Sequence, residues 1–261
     1  MSHFKRKDTL LKLLQEYEEI RVSEISDFFK VSKNTIRRDL EKLEKEGLIQ
    51  KIHGGAILNV HSYGYDIPYK KRENSFKPEK EEIGKLGADL VENGDSIILD
   101  IGTTTSQIAK YLAKSKKRIT VITNAINIIN VLGGIPEIEL ICSGGTYKEA
   151  VKGCSGFYAE EFFSRIHVDK LFLSCGGIDF EKGIMNPNSY EINVKRNMIR
   201  ATKEVILVAH HEKIGKPSFA FLSPLDIVSV LITDKGIPLD IVSEFEKRGI
   251  RVLYEGIEIN K

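Results

Sequence analysis

The chain has 261 residues, 41% hydrophobic and 29% charged, with 39 basic against 37 acidic side chains and a formal net charge of +2. This composition supplies a real core for one or two domains and excludes disorder for most of the length. No run approaches the roughly 18 apolar residues of a membrane-spanning helix, and Cys142, Cys154 and Cys175 are too few and too scattered for a disulfide framework or a closed zinc site.

The three thiols are expected to be reduced, in or near the core. The basic start, Met1 to Lys7, leads into a polar amphipathic segment without the apolar centre of a signal peptide. A cytoplasmic protein with no membrane partner is expected. Because the charges nearly cancel, nucleic-acid binding has to be argued from where they sit.

Three short helical patterns open the chain. Leu10, Leu13, Leu14 and Tyr17 recur on one helix face. Ser23 is a candidate cap for a second helix that buries Ile25, Phe28 and Phe29. Lys30, Val31 and Ser32 make a tight connection, with Ser32 capping a third helix that buries Ile36, Leu40 and Leu43 and ends at Gly47. At about 100° per residue, that stripe sends Asn34, Arg38, Glu41 and Lys45 outward, with Lys33 and Arg37 on one edge and Thr35 on the other. Arg pairs bidentately with guanine and Asn with adenine, while Lys and Thr reach phosphates. A solvated polar face is the alternative. The preceding helices and the following strand with a glycine turn, Leu48 to Ala56, favour a DNA-reading winged helix whose wing contacts are Lys51 and His53.

The run Val31 to Leu40, then Leu43-Glu44, Gly47-Leu48 and His53-Gly54-Gly55-Ala56, resembles the DNA-binding signature of DeoR-type repressors. The resemblance implies a winged helix-turn-helix whose third helix enters the major groove. Asp39 is expected to pair with a neighbouring basic side chain, since a carboxylate facing phosphates is repelled.

The chain is expected to divide into a DNA-binding domain over 1–57, a linker over 58–78 and an effector-binding sensor over 79–261. In the linker, periodicity disappears and turn formers accumulate, leaving a linker or a packed strap. Lys70, Lys71 and Arg72 are there a solvated or acid-paired run, or a DNA contact. The resemblance places Tyr69 and Arg72 in a segment connecting the domains.

Beyond Lys80, helices and strands alternate. Ile83, Leu86 and Leu90 mark a helix, and Ser106 to Leu112 another. Strands are expected at 97–100, 119–124, 138–142, 171–175, 205–209 and 227–233. The alternation predicts an α/β Rossmann-like domain with a largely parallel sheet, whose ligand lies beyond the strands' carboxyl ends. There the sequence delivers Asp100, Gly102, Thr103, Thr104 and Thr105, then Asn124, Gly144 and Gly145, Gly177 and Asp179, and Lys213. Gly102 would let a ligand approach, and the threonines open a helix whose free amides favour phosphate. Glycines that merely turn the chain are the alternative. Glu191 and Lys195, spaced i,i+4, are either a surface ion pair or a sugar-hydroxyl contact and a phosphate contact.

This half resembles the sensor of the same family, through Asp100 to Thr105, Thr123-Asn124, Gly176 to Asp179, Glu191, Val194 to Arg196 and Lys213. The resemblance implies a fold similar to ribose-5-phosphate isomerase and glucosamine-phosphate deaminase, and a phosphorylated sugar as effector. It departs at His210-His211-Glu212, where Asp-x-Ser is common, and over Lys148 to Ser155. The expected partners are double-stranded operator DNA, the effector and further copies of the chain in a dimer or tetramer; no cofactor and no metal are expected. The rival reading is a sugar-phosphate isomerase-like enzyme fused to a DNA-binding module, with Asp100, Asp179, Glu191 and Lys195 moving protons. Metal sensing through His167, His210 and His211 is weak, because adjacent histidines do not readily share one ion.

Overall fold

A computed structural model describes residues 3–17, 19–45, 49–58 and 68–256. The chain forms two compact units, Met1–Ile67 and Pro68–Lys261.

In the first unit α1 (His3–Glu16), β1 (Glu19–Arg21), α2 (Val22–Phe29) and α3 (Lys33–Lys45) precede a hairpin of β2 (Ile49–Ile52) and β3 (Gly55–Leu58). Leu10, Leu11, Leu14, Ile20, Ile25, Ile36, Leu40, Leu43 and Ile49 form its core. β1 pairs with β3, giving the strand order β1-β3-β2; the sequence reading does not contain β1. Three expectations fail here. Tyr17 lies beyond the end of α1 and is 57% exposed. Ser23 lies inside α2, whose N-cap is Arg21 with no side-chain cap. Phe28 is 61% exposed, because Val22, Ile25 and Ser26 take the inward face and Phe29 packs at its edge. The expected helix end at Gly47 lies outside the described residues.

The second unit begins with α4 (Tyr69–Asn74) and α5 (Lys77–Asp89), and continues through β4 (Ser96–Leu99), α6 (Thr103–Ser115), β5 (Ile119–Thr123), α7 (Ile126–Leu132) and β6 (Ile138–Cys142). A hairpin of β7 (Thr146–Lys148) and β8 (Gly153–Ser155) leads to α8 (Phe157–Phe163) and β9 (Val168–Ser174). Then come β10 (Gly177–Asp179), β11 (Gly183–Asn186), α9 (Ile192–Arg200), β12 (Thr202–Val208), β13 (Ala220–Ser223), β14 (Val230–Ile232), α10 (Leu239–Glu246) and β15 (Arg251–Leu253). The main sheet has seven strands in the order β15-β14-β12-β9-β4-β5-β6, all paired in parallel. Side chains alternate between its faces. Ile97, Leu99, Val121, Phe172 and Ile206 meet α5, α6 and α7 on one side, while Ile98, Leu171, Leu173 and Leu207 meet α8, α9 and α10 on the other.

Several element boundaries differ from expectation. Residues 69–74, expected within the linker, are a helix of the second unit, entered from Pro68 and anchored by the buried ring of Tyr69. Leu225–Ile227 is a short 3-10 turn, so the expected strand at 227–233 is confined to Val230–Ile232. The antiparallel sheet β10-β11-β13 and the β7–β8 hairpin have too few residues each to announce themselves by periodicity. Cys142 is exposed rather than near the core, since it ends the edge strand β6; Cys154 and Cys175 are buried.

The chain builds β4, β5 and β6 outward in one direction, then returns to lay β9 against the other side of β4. The order therefore reverses between β4 and β9. Such a switch point opens a crevice at the strands' carboxyl ends.

Candidate functional site

The cap expected at Ser32 is present: its Oγ accepts the Thr35 amide at 3.1 Å and lies 2.9 Å from Thr35 Oγ1. Ile36, Asp39, Leu40 and Leu43 face inward. Ser32, Lys33, Asn34, Arg37 and Arg38 are exposed, and Thr35 is half-buried. Arg37 Nη1 donates to Asn34 Oδ1 at 3.1 Å, so the acceptor that would read adenine is engaged within the helix. Lys33, Arg38 and the exposed turn residue His53 make no side-chain hydrogen bond or ion pair among the described residues. Lys51 is otherwise: its Nζ lies 3.1 Å from Glu44 Oε2 and its amide donates to Glu44 Oε1 at 3.2 Å. The Lys51 hydrogen bonds hold the Glu44 carboxyl below its ordinary pKa. Asp39 pairs with Arg6 at 2.6 Å, both nearly buried, which ties α1 to the inner side of α3.

In the second unit Asp100 follows β4 and Ser174 ends β9, on the two sides of the switch point. Asp100 is fully buried, and its Oδ2 accepts the Ser174 amide at 2.9 Å and the Ser174 hydroxyl at 2.8 Å. Lys195 completes the cluster. Its ammonium, 1% exposed, donates to Asp100 Oδ2, to Ser174 Oγ at 3.0 Å and to Ser174 O at 3.1 Å, with Glu191 Oε2 3.6 Å away. Burial opposes its charge, but Asp100 and Glu191 more than compensate, and its pKa is raised. The surface ion pair envisaged for Glu191 and Lys195 is thus overturned. Glu191 is the buried N-cap position of α9, and its Oε1 accepts from Asn188 Nδ2 at 2.7 Å.

Other expected residues have internal duties. Thr105 Oγ1 donates to Asp100 O at 2.7 Å. The space beside Gly102 is taken by Ser174 and Thr105, each 3.0 Å from where a Cβ would stand, so its close neighbour is the protein itself. Thr103 and Thr104 are buried at the first turn of α6, and their hydroxyls make no hydrogen bond among the described residues. Asn124 donates to Cys154 O at 2.8 Å and holds β8 over the sheet edge. The second oxygen of Asp100 and the side-chain oxygen of Asn124 are buried acceptors without a donor among the described residues. Gly144 and Gly145 are exposed with φ of +67° and +118°, as turn glycines after β6. A Cβ on Gly177 would stand 2.1 Å from Lys216 O, again an approach of protein to protein. Asp179 Oδ1 accepts the Lys182 amide at 2.8 Å and the Glu181 amide at 2.9 Å, which closes the β10–β11 turn and lowers the Asp179 pKa. It serves that turn, not the crevice.

Lys213 lies in a short 3-10 turn after β12 and donates to Cys175 O at 2.6 Å. Burial pulls its pKa down, and the Arg72 and Lys195 charges add to this. Among the described residues no group of three or more His, Cys, Asp or Glu side chains is arranged to hold a metal ion, and no helix is long and apolar enough to cross a membrane.

Two family models cover these two units. Residues 6–61 match the DeoR-like helix-turn-helix domain and residues 75–235 match the DeoR C-terminal sensor domain. The chain belongs to the DeoR family. One relative, the uncharacterized HTH-type transcriptional regulator YulB of Bacillus subtilis, is 36% identical over 247 residues, 95% of each chain. The HTH-type transcriptional repressor GlcR of the same organism is 37% identical, covering 87% of this chain and 86% of its own. The glycerol-3-phosphate regulon repressor of Escherichia coli is 28% identical, over 93% of this chain and 95% of its own. Among solved structures, ribose 5-phosphate isomerase of Methanocaldococcus jannaschii aligns with 54% of this chain and 56% of its own at 15% identity, with a TM-score of 0.40.

The sequence reading of this DeoR-family chain misses two groups at the crevice. Ser174 carries no signal, being one serine at a strand end. Lys80 does carry one: it stands at i−3 and i−4 from Ile83 and Gly84, on the stripe that α5 buries, and is 3% exposed. Its ammonium donates to the carbonyls of Arg72 and Ser75. A lysine on an apolar stripe is the feature that sequence inspection can catch.

Proposed function

We propose that this DeoR-family chain is a sequence-specific, DNA-binding transcriptional regulator of the cytoplasm. It represses a sugar-metabolism operon, and a phosphorylated sugar or related metabolite controls its grip on double-stranded operator DNA. One observation carries the effector half. Beyond the carboxyl ends of one parallel sheet, acceptors buried without donors among the described residues (Asp100 Oδ1 and Asn124 Oδ1) lie on the same side as the cations Lys195 and Lys213 and the start of α6. Sugar hydroxyls are donors that suit such acceptors. A phosphate suits lysines and free helix amides. Thr103, Thr104, Asn124, Glu191, Lys195 and Lys213 are the contacts assigned to the effector.

The DNA half rests on α3, which displays Lys33, Asn34, Arg37 and Arg38 to solvent. Arg38 is assigned to a base edge, Lys33 and Ser32 to phosphates, and His53 to the backbone along the wing. One such module binds weakly, so two copies facing two half-sites are part of the proposal. The repressor names of GlcR and the glycerol-3-phosphate regulon repressor support the direction of regulation.

Binding without turnover is part of the proposal, and the regulator and repressor names of the relatives support it. The test is a titration of protein and operator DNA with a panel of phosphorylated sugars. Operator affinity should change with at least one of them, without product. Indifference to all would end the sensing proposal, and product accumulating on long incubation would restore the enzyme.

A further inference from the structure

α4 is the first helix after the segment that leads out of β3 of the DNA-reading unit, and it is tied to the crevice at several points. The Tyr69 amide donates to Ala150 O at 3.0 Å, and Arg72 Nη2 to the same carbonyl at 3.3 Å. Tyr69 Oη donates to Ser106 Oγ in α6 at 3.0 Å, and Asn127 Nδ2 in α7 donates to Tyr69 Oη at 2.8 Å. At the other end, Phe76 stacks on His210, three residues before Lys213, with ring centres 4.3 Å apart. Between these anchors the Lys80 ammonium grips the carbonyls of Arg72 and Ser75.

An ammonium has three N–H donors. Two of those on Lys80 are spent on α4 and its exit, and one remains. The charges acting on Lys80 are Lys213 from the turn after β12, Arg72 and Glu73 from α4, and Glu79 from α5 itself. Backbone carbonyls satisfy hydrogen bonds but do not cancel charge. Burial, then Lys213 and Arg72, bring the Lys80 pKa down to about 7. A dianion beside Lys80 and Lys213 would relieve that repulsion and keep Lys80 charged.

We propose that Lys80 is a shared clamp. With Lys213 it holds the dianionic group of the effector, and with its other two N–H groups it fixes α4, so that filling the crevice secures the strap leading from the DNA-reading unit. This rests on the effector reading above and adds to it a binding residue and the element through which binding is passed on. Coupling of this kind needs a segment whose order differs between the filled and empty states.

The probe is inorganic sulfate, a dianion that does not titrate in the neutral range, compared with sodium chloride at equal ionic strength. Hydrogen exchange is followed by mass spectrometry on the full chain. In the wild type, sulfate should slow exchange several-fold both around residues 211–214 and over residues 69–75, and more at pH about 6 than at pH about 8. In Lys80→Met the effect at 211–214 should persist in weakened form while that at 69–75 is lost. Lys80→Arg, which keeps its charge and guards against a misfolded Met variant, should retain protection of α4 but lose its pH dependence, which separates Lys80 from the neighbouring His210. Equal protection of 69–75 in wild type and Lys80→Met overturns the clamp, as does an unchanged pH dependence in Lys80→Arg, with the effector reading left standing. No protection anywhere in the wild type overturns both.

Discussion

Asp100 and Ser174, 74 positions apart in sequence, meet through two hydrogen bonds of 2.9 and 2.8 Å to one carboxylate oxygen. They close the floor of the crevice where the strand order reverses between β4 and β9. Lys195 donates to both residues, so carboxylate, hydroxyl and ammonium form one buried unit. The other carboxylate oxygen is buried and has no donor among the described residues.

Breaking that unit on one side should be costly. Lys195→Met leaves Asp100 buried with its charge uncompensated, and a loss of about 3–5 kcal/mol in stability of the second unit is expected. The double variant Asp100→Asn with Lys195→Met should recover a substantial part of it, because no unpaired charge is then buried. Urea unfolding of the three proteins checks this; a double variant as unstable as the sum of its parts would contradict it.

Arg38 and Lys33 should fail differently. Arg38→Ala is expected to cost about 1–3 kcal/mol on the operator and far less on random duplex, as loss of a base contact does. Lys33→Ala should weaken both duplexes alike and reduce the slope of log affinity against log salt by about 0.9. Fluorescence anisotropy over a salt series separates the two. If Arg38→Ala leaves the preference for operator over random DNA intact, Arg38 does not read a base.

Asp39 is expected to matter for folding more than for reading. Its carboxylate lies 2.6 Å from Arg6 on the inner side of α3. Asp39→Ala should destabilise the first unit by about 1–3 kcal/mol, with operator preference preserved in whatever fraction remains folded. Calorimetric unfolding alongside competition binding tests both halves of this statement.

Lys80 gives a pH dependence with a definite sign. Its folded pKa, about 7, lies below the ordinary 10.5, so between those values the unfolded chain holds more protons than the folded one. Stability then rises with pH across that window, and the penalty for charging Lys80 is fully present below about 7. The effect is on the order of a few kcal/mol at most. Denaturation midpoints of wild type against Lys80→Met should converge as pH rises from 7 towards 10; parallel curves would show that Lys80 does not titrate in this range.

Local chemistry determined much of this protein. The cap at Ser32, the inward stripe of Ile36, Leu40 and Leu43, and the strand at 138–142 follow from rules that act within a few residues, and the structure contains all of them. The same rules erred where a neighbour was needed to choose between faces, as for Phe28, which α2 turns outward, and for Tyr17, which lies beyond the end of α1. The site divides likewise. That Asp100, Asn124 and Lys213 gather near one sheet edge is implied by alternating strands and helices, since parallel strands deliver their carboxyl ends to the same side; Lys195, inside α9, was brought there by the packing of that helix. Which of the expected contact residues of both units stay available was decided by tertiary structure alone: Thr105 gives its hydroxyl to Asp100 O, Asp179 its carboxylate to a turn, and Lys51 its ammonium to Glu44. Hydrogen-bonding capacity is finite and is spent on whatever lies within about 3 Å, and spacing along the chain does not record what that will be.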